Sequence, residues 1–368
     1  MKIEIGIFYP IRFKKKELDL NRLNAQTGKN WHYAANGRSA LYHCLCALDI
    51  QGTILVPNYI CHSIKPILKK KSLEVIYYDF DSQDCNANID DIKSKIFLHP
   101  EISCLLVASM YGNPADMVQL EGLCKEHGIK LIDDAAQSFG AKIQDRFIGT
   151  FGDAGFMAFS PGKPTSAHMG ALFWTSNEQY SFRRTRHFIL HYLAYSDFYF
   201  NRYYLYKYKK IRIFSILSLL KIHVSKHFDM TFDEMCKFER KILGGVLNAN
   251  FQQTYRKTLY DKFEEKLHES QSFHPIRSPY RDRNPHKFIL SCQNTSTAKE
   301  LISFLRKNNI YAASGYPLMD RNAQTPVANE NSGKILEIPL ENNEPKMNHI
   351  ISLLKQYDEY SRNNHHLE

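Results

Sequence analysis

Residues 151–175 read FGDAGFMAFSPGKPTSAHMGALFWT, and this stretch decides the fold. Phe156 to Phe159 is one apolar run and Gly170 to Trp174 is another. Between them Ser160, Pro161, Gly162 and Pro164 interrupt both strand and helix. The pattern predicts a strand, a tight loop and a second strand. Lys163 sits in the loop. Pro164 biases it toward extended backbone, and Gly162 permits close approach from almost any side. On its own, such a residue reads as a solvated turn lysine.

A second stretch changes that reading. Lys130 to Gly140 reads KLIDDAAQSFG. Leu131 and Ile132 end a buried strand, and Asp133 and Asp134 follow at its carboxyl end. Open α/β sheets place their chemistry at that end. A lysine on one strand-end loop and an aspartate on another suit pyridoxal 5'-phosphate. That cofactor takes a lysine for covalent attachment and an acid for its pyridine nitrogen.

IDDAAQSFGA (132–141), followed by GTFGDAGFMAFSPGK (149–163), resembles the sugar aminotransferases of the DegT/DnrJ/EryC1/StrS type. The resemblance runs from Gly37 to about Gln356. It implies an α/β fold: a large domain with a mixed, mostly parallel sheet flanked by helices, of type I among pyridoxal-phosphate transferases, plus a small C-terminal α+β domain. The expected division is 1–250 for the large cofactor-binding domain and 251–366 for the small one, with residues 1–30 packing on the small domain. Strand-helix alternation from Thr53 to His127 independently argues a parallel sheet with crossover helices.

The resemblance also assigns roles. Lys163 carries the cofactor and later moves the substrate's proton. Asp134, ionised, keeps the pyridine nitrogen protonated. Gln137 matches the residue that hydrogen-bonds the phenolic oxygen. Gly37, Arg38 and Ser39 stand where the family has its phosphate cradle. Read from the residues, Ser39 caps a helix from about Ala40 to Leu48, and a helix start behind a glycine attracts anions. Arg38 either adds charge there or is solvated. The family's stacking aromatic, four residues after Pro57, is Cys61 here. Tyr59 and His62 are the neighbouring substitutes, and His62 is otherwise a satisfied histidine at a helix end.

Several positions depart from the family pattern. Ala158 replaces a phosphate-binding serine, and Pro164 replaces an asparagine. Ala167, His168, Met169 and Gly170 replace a glycine-rich block. Asp229 stands for the asparagine that reaches the partner subunit's phosphate. Arg38, Lys65 and His168 are the candidates to compensate. The implied function is transfer of an amino group from an amino-acid donor, glutamate, to a keto nucleotide sugar in surface-polysaccharide or antigen synthesis, by a homodimer. The alternatives are a same-fold binding or assembly partner without transaminase activity, or another pyridoxal reaction on a sugar. The family's dehydratases carry histidine at the lysine position, so Lys163 argues against dehydration.

With 368 residues, 43% of them apolar, the chain can build two cores. Lys and Arg number 48 against 38 Asp and Glu, a formal charge of +10 that suits anionic partners. No zinc-finger or recognition-helix pattern supports nucleic acid. Eight cysteines without a C-x-x-C pair read as reduced thiols of a cytoplasmic protein. MKIEIGIFYP at the start has Glu4 inside its apolar run and is not read as a signal peptide. DFDSQDCNANIDD (79–91) lacks the central glycine and closing glutamate of a calcium loop, so no metal is expected. Ile211 to Val224 is interrupted by Arg212 and Lys221 and is too short to span a bilayer. The surrounding segment, 183–226, is basic and aromatic. It reads either as a packed helical insert or as a surface for a nucleotide diphosphate or peripheral membrane contact, through Arg202, Lys207, Lys209, Lys210 and Arg212.

Overall fold

Strands and helices alternate through the first half of the chain. Helix α1 (Leu20–Thr27) and strand β1 (His32–Ala34) precede α2 (Gly37–Ala47) and β2 (Thr53–Pro57). Then follow α3 (Lys65–Lys70), β3 (Glu74–Tyr78), α4 (Ile89–Leu98), β4 (Ile102–Ala108), α5 (Met117–His127) and β5 (Lys130–Asp134). A short hairpin, β6 (Lys142–Ile143) and β7 (Arg146–Phe147), leads to β8 (Ala154–Ala158) and β9 (Ala171–Thr175). The second half holds α6 (Lys237–Ala249), α7 (Gln253–Leu267), β10 (Phe273–Pro275), β11 (Lys287–Cys292), α8 (Thr295–Lys307), β12 (Ala313–Ser314), α9 (Pro326–Asn331), β13 (Ile335–Pro339) and α10 (Glu344–His365). The structure, a computed structural model, describes residues 17–160, 162–165, 167, 170–181, 234–249, 253–341 and 343–365. Segment 183–226, the stretch around His227 to Thr231 with Asp229, and His168 lie outside the described residues.

The large sheet has the order β1-β9-β8-β5-β4-β2-β3 among the described residues. Strands β3, β2, β4, β5 and β8 run parallel, and β9 and β1 add antiparallel at one edge. This is the mixed, mostly parallel sheet that the sequence implies. Its inner strands are buried on both faces, which is why they read as continuous apolar runs.

Side chains alternate between the faces. Ile54, Val56, Leu106, Ile132, Phe156 and Ala158 face the cluster that includes α2 and α3. Leu55, Leu105, Val107, Leu131, Met157 and Trp174 face the opposite cluster, with α4, α5 and α6. Asp134 continues the first set and Asp133 the second, so the adjacent carboxylates serve different faces.

The second, antiparallel sheet has the order β10-β11-β13-β12. Phe288, Leu290, Leu336 and Ile338 pack under α7, α8 and α10. Ile289 and Ile335, on the other face, join the α2 cluster of the large sheet. That face therefore looks at the large domain, and Lys287 and Glu337 share it by alternation.

Two local readings differ from the sequence expectation. Helix α2 starts at Gly37 rather than Ala40, because Asn36 caps it: its backbone is extended (φ −164°) and its side chain accepts from the Ser39 N–H at 3.1 Å. Ser39 is buried inside the first turn. Leu18, Leu20 and Leu23 pack on the large-sheet cluster around Trp31, not on the C-terminal sheet. Their apolar contacts with that cluster hold residues 17–30 there.

Candidate active site

Lys163 emerges from the loop after β8, with Gly162 at φ 84° just before it. It keeps part of its surface open, while its amine lies among protein groups. Burial pushes its pKa down, and the neighbouring Asp134 pulls it back up. Burial likewise raises Asp134 to about 6, opposed by the Lys163 charge and by the Ala136 N–H, which donates to Oδ1 at 2.8 Å. Each group makes the other's charge tolerable, the behaviour of a buried acid–amine couple. Asp133 is different. Its Oδ2 accepts from Gly149 and Phe151 N–H groups at 2.6 and 3.1 Å, which ties down the turn before β8. Burial lifts it to about 7.

The start of α2 lies against the end of β8. A Cβ added at Gly37 would stand 3.1 Å from the Ala158 Cβ, so the glycine lets helix and strand approach. Arg38 is exposed beside it. The expected serine hydroxyl is missing at Ala158, and what this corner offers an anion is backbone N–H and the Arg38 guanidinium. Lys65 does not point to it, because its Nζ donates to the Met319 carbonyl.

Cys61 is among the groups that act on Lys163. Its two neighbours are committed elsewhere. The Tyr59 hydroxyl is 2.7 Å from that of Tyr111 and accepts from the Tyr316 N–H at 3.1 Å. The His62 Nε2 meets the carbonyls of Pro317 and Leu318 at 3.1 and 2.8 Å. Gln137 is buried; its Nε2 touches the Met110 sulfur at 3.3 Å, and its Oε1 has no partner.

Sequence reading missed a whole wall, contributed by the C-terminal sheet. Lys287 and Glu337 form an ion pair with side chains only 14% and 10% exposed. Both act on Lys163. Tyr316 stacks on Tyr111 with ring centroids 6.2 Å apart. His286 is buried beside them. The loop carrying this wall is stapled to the large domain. Asn58 binds Asp320 twice, through Nδ2 to its carbonyl and Oδ1 from its N–H, each at 2.8 Å. Asp79 accepts from the N–H groups of Val327 and Ala328, both at 2.7 Å, at the start of α9. None of these residues sits in a recognisable motif.

The sequence profile of the DegT/DnrJ/EryC1/StrS aminotransferase family matches residues 24–221. The chain belongs to that family. Aminotransferases of that family are pyridoxal-phosphate-dependent. A GDP-perosamine synthase from Escherichia coli is 25% identical over 244 residues, 66% of this chain and 65% of the relative. A UDP-N-acetyl-3-dehydro-alpha-D-glucosamine 3-aminotransferase from Acidithiobacillus ferrooxidans is 30% identical over 36% of each chain. These matches thus span less than two thirds of the relatives' own length. A solved aminotransferase of pseudoaminic acid biosynthesis from Helicobacter pylori superimposes with a TM-score of 0.72 at 13% identity, covering 95% of this chain and 94% of that one. That likeness concerns the family fold, whose large sheet and C-terminal sheet are the two units described above.

Proposed function

We propose that this chain is a pyridoxal-phosphate-dependent aminotransferase that moves an amino group from glutamate to a keto nucleotide sugar. One arrangement carries the reading: Asp134 ends β5, and Lys163 lies on the loop after the neighbouring parallel strand β8, where each charge favours the other. The names of the sugar-aminating relatives support the substrate class. The residues suit the cofactor: Asp134 offers an acid, Lys163 an amine, and Gln137 an amide oxygen without a partner among the described residues, while α2 offers a helix start. The cofactor, when bound, supplies an electron-accepting ring. Lys163 would anchor it and, once released, carry the proton at the substrate carbon. Asp134 would hold the ring nitrogen's proton. Gln137 would hydrogen-bond the phenolic oxygen, Cys61 and His62 would flank the site, and Gly37, Arg38 and Ser39 would receive the phosphate. We also infer a cytoplasmic homodimer, with 183–226 open to peripheral membrane contact. No helix of the described residues is long and apolar enough to cross a membrane. Light scattering at the mass of one chain, with tight cofactor binding, would contradict the dimer.

Ala158 favours a second reading, a same-fold assembly partner without transaminase activity, because it removes a hydroxyl from the anion corner. Colour and turnover separate the two. The purified chain should take up pyridoxal 5'-phosphate with a visible absorbance and aminate a 3-keto or 4-keto nucleotide sugar. Lys163→Ala should lose both and keep its circular dichroism. Turnover surviving in that variant ends the proposal. A colourless, inactive parent chain favours the second reading.

A further inference from the structure

Lys163 is faced from two domains. From the large domain come Asp134 at the end of β5 and Cys61 after β2. From the small domain come Lys287 on β11 and Glu337 on β13. Strand register makes the second pair. Glu337 lies opposite Ile289, and Lys287 lies opposite Pro339, so the two side chains are diagonal neighbours on one face. Their ion pair is buried, and the Lys287 Nζ stands 5.8 Å from the ring centroids of both Tyr111 and Tyr316. Burying two charges costs more than an exposed pair returns, so stability alone is a weak account of this pair.

The loop of Lys163 is gripped by the same part of the small domain. The Arg256 guanidinium donates to the Pro164 carbonyl at 2.8 Å and to Asn284 Oδ1 at 2.9 Å. Asn284 in turn donates to the Phe139 carbonyl at 2.6 Å. His286, between Asn284 and Lys287, faces Gly162 and is kept neutral by burial and by the cations Lys287, Arg256 and Lys163. The residues on either side of Lys163 therefore touch the segment that ends in Lys287.

We propose that the Lys287–Glu337 pair is a positioning element for Lys163, through which the small domain sets the charge around the reactive amine. The two members act in opposite senses. Lys287 disfavours a cation at Lys163, and Glu337 favours one. The two effects oppose each other, so the loss of either member leaves the other's effect on the amine unopposed. Neither residue needs to touch a reacting atom for this. The proposal rests on Lys163 being the reactive amine.

The test compares Lys287→Met, Glu337→Gln and the double variant with the parent chain. Two readouts are taken. One is the pH midpoint of the visible absorbance of the pyridoxal-phosphate-loaded chain. The other is the pH dependence of trace acetylation of Lys163, quantified by mass spectrometry in the full chain stripped of cofactor. Lys287→Met should raise both midpoints by about one unit, Glu337→Gln should lower them by a similar amount, and the double variant should return toward the parent. Singles that leave both midpoints in place, or move them the same way, overturn the proposal. The exchanged pair Lys287→Glu with Glu337→Lys covers the case in which a single variant does not fold. It keeps the net charge and should hold the acetylation midpoint within a few tenths of a unit of the parent, and a full-unit shift there also overturns the proposal. A parent chain without a visible band would count against the proposed function, and the acetylation arm would still decide this one.

Discussion

The two walls around Lys163 are built by different rules. The large-domain wall consists of strand ends and the turns just after them: Asp134, Gln137, Cys61 and the start of α2. The small-domain wall consists of side chains on paired strands or in a stapled loop: Lys287, Glu337 and Tyr316. The first wall follows from local chain geometry, because a parallel sheet leaves its carboxyl ends open. The second depends on the register between β11 and β13 and on the staples from Asn58 and Asp79. The first can carry chemistry, whereas the second adjusts it and keeps the chain closed over it.

If that division holds, the largest effect belongs to the first wall. Asp134→Asn should cost on the order of 10²–10³ in kcat with the cofactor still bound, since a neutral amide does not hold the ring proton. Equal losses from Lys287→Met would erase the distinction. The staple is expected to act on stability. Asp79→Ala leaves the Val327 and Ala328 N–H groups without their acceptor and should lower the unfolding free energy by about 2–4 kcal/mol. A urea midpoint within error of the parent's would show that the loop does not depend on this carboxylate.

A third effect, seen only as a pH dependence, separates the adjacent aspartates. Burial raises Asp133 from 3.8 to about 7 in the folded chain, against the pull of two backbone donors. The folded state thus holds the proton more tightly than the unfolded state. The stability this contributes is full below pH 3.8 and is lost as the pH climbs through 7. Asp133→Asn cannot lose a proton there. Its unfolding free energy should fall less steeply between pH 4 and 7, by up to about 1.4 kcal/mol per pH unit. Parallel profiles for parent and variant would mean that Asp133 titrates as an ordinary carboxylate.

Legibility follows the same split. The loop of Lys163, the end of β5 and the alternation of strands and helices were readable because prolines, glycines and apolar runs mark them directly. The cap of α2 was misplaced because Asn36 and Ser39 are both good capping residues, and only the extended backbone at Asn36 decides between them. His62 and Lys65 were read from their neighbours in sequence, whereas their partners, the carbonyls of Leu318 and Met319, lie in a distant segment. Lys287 and Glu337 look like ordinary strand residues until the sheet pairs them. No spacing in the chain announces a diagonal contact between two strands separated by α8, β12 and α9.

The staple at Asn58 and Asp79 has a consequence for how the protein is made. A ribosome adding residues at ordinary speed needs on the order of ten to thirty seconds to travel from Lys163 to Glu337. Until residues 284–337 are made, the small-domain wall cannot cover Lys163, and Asn58 and Asp79 lack their partners from 320–328. The small domain is a latch added late in synthesis, and a chain stalled before β13 lacks Glu337 and the β11–β13 pairing that complete the wall beside Lys163.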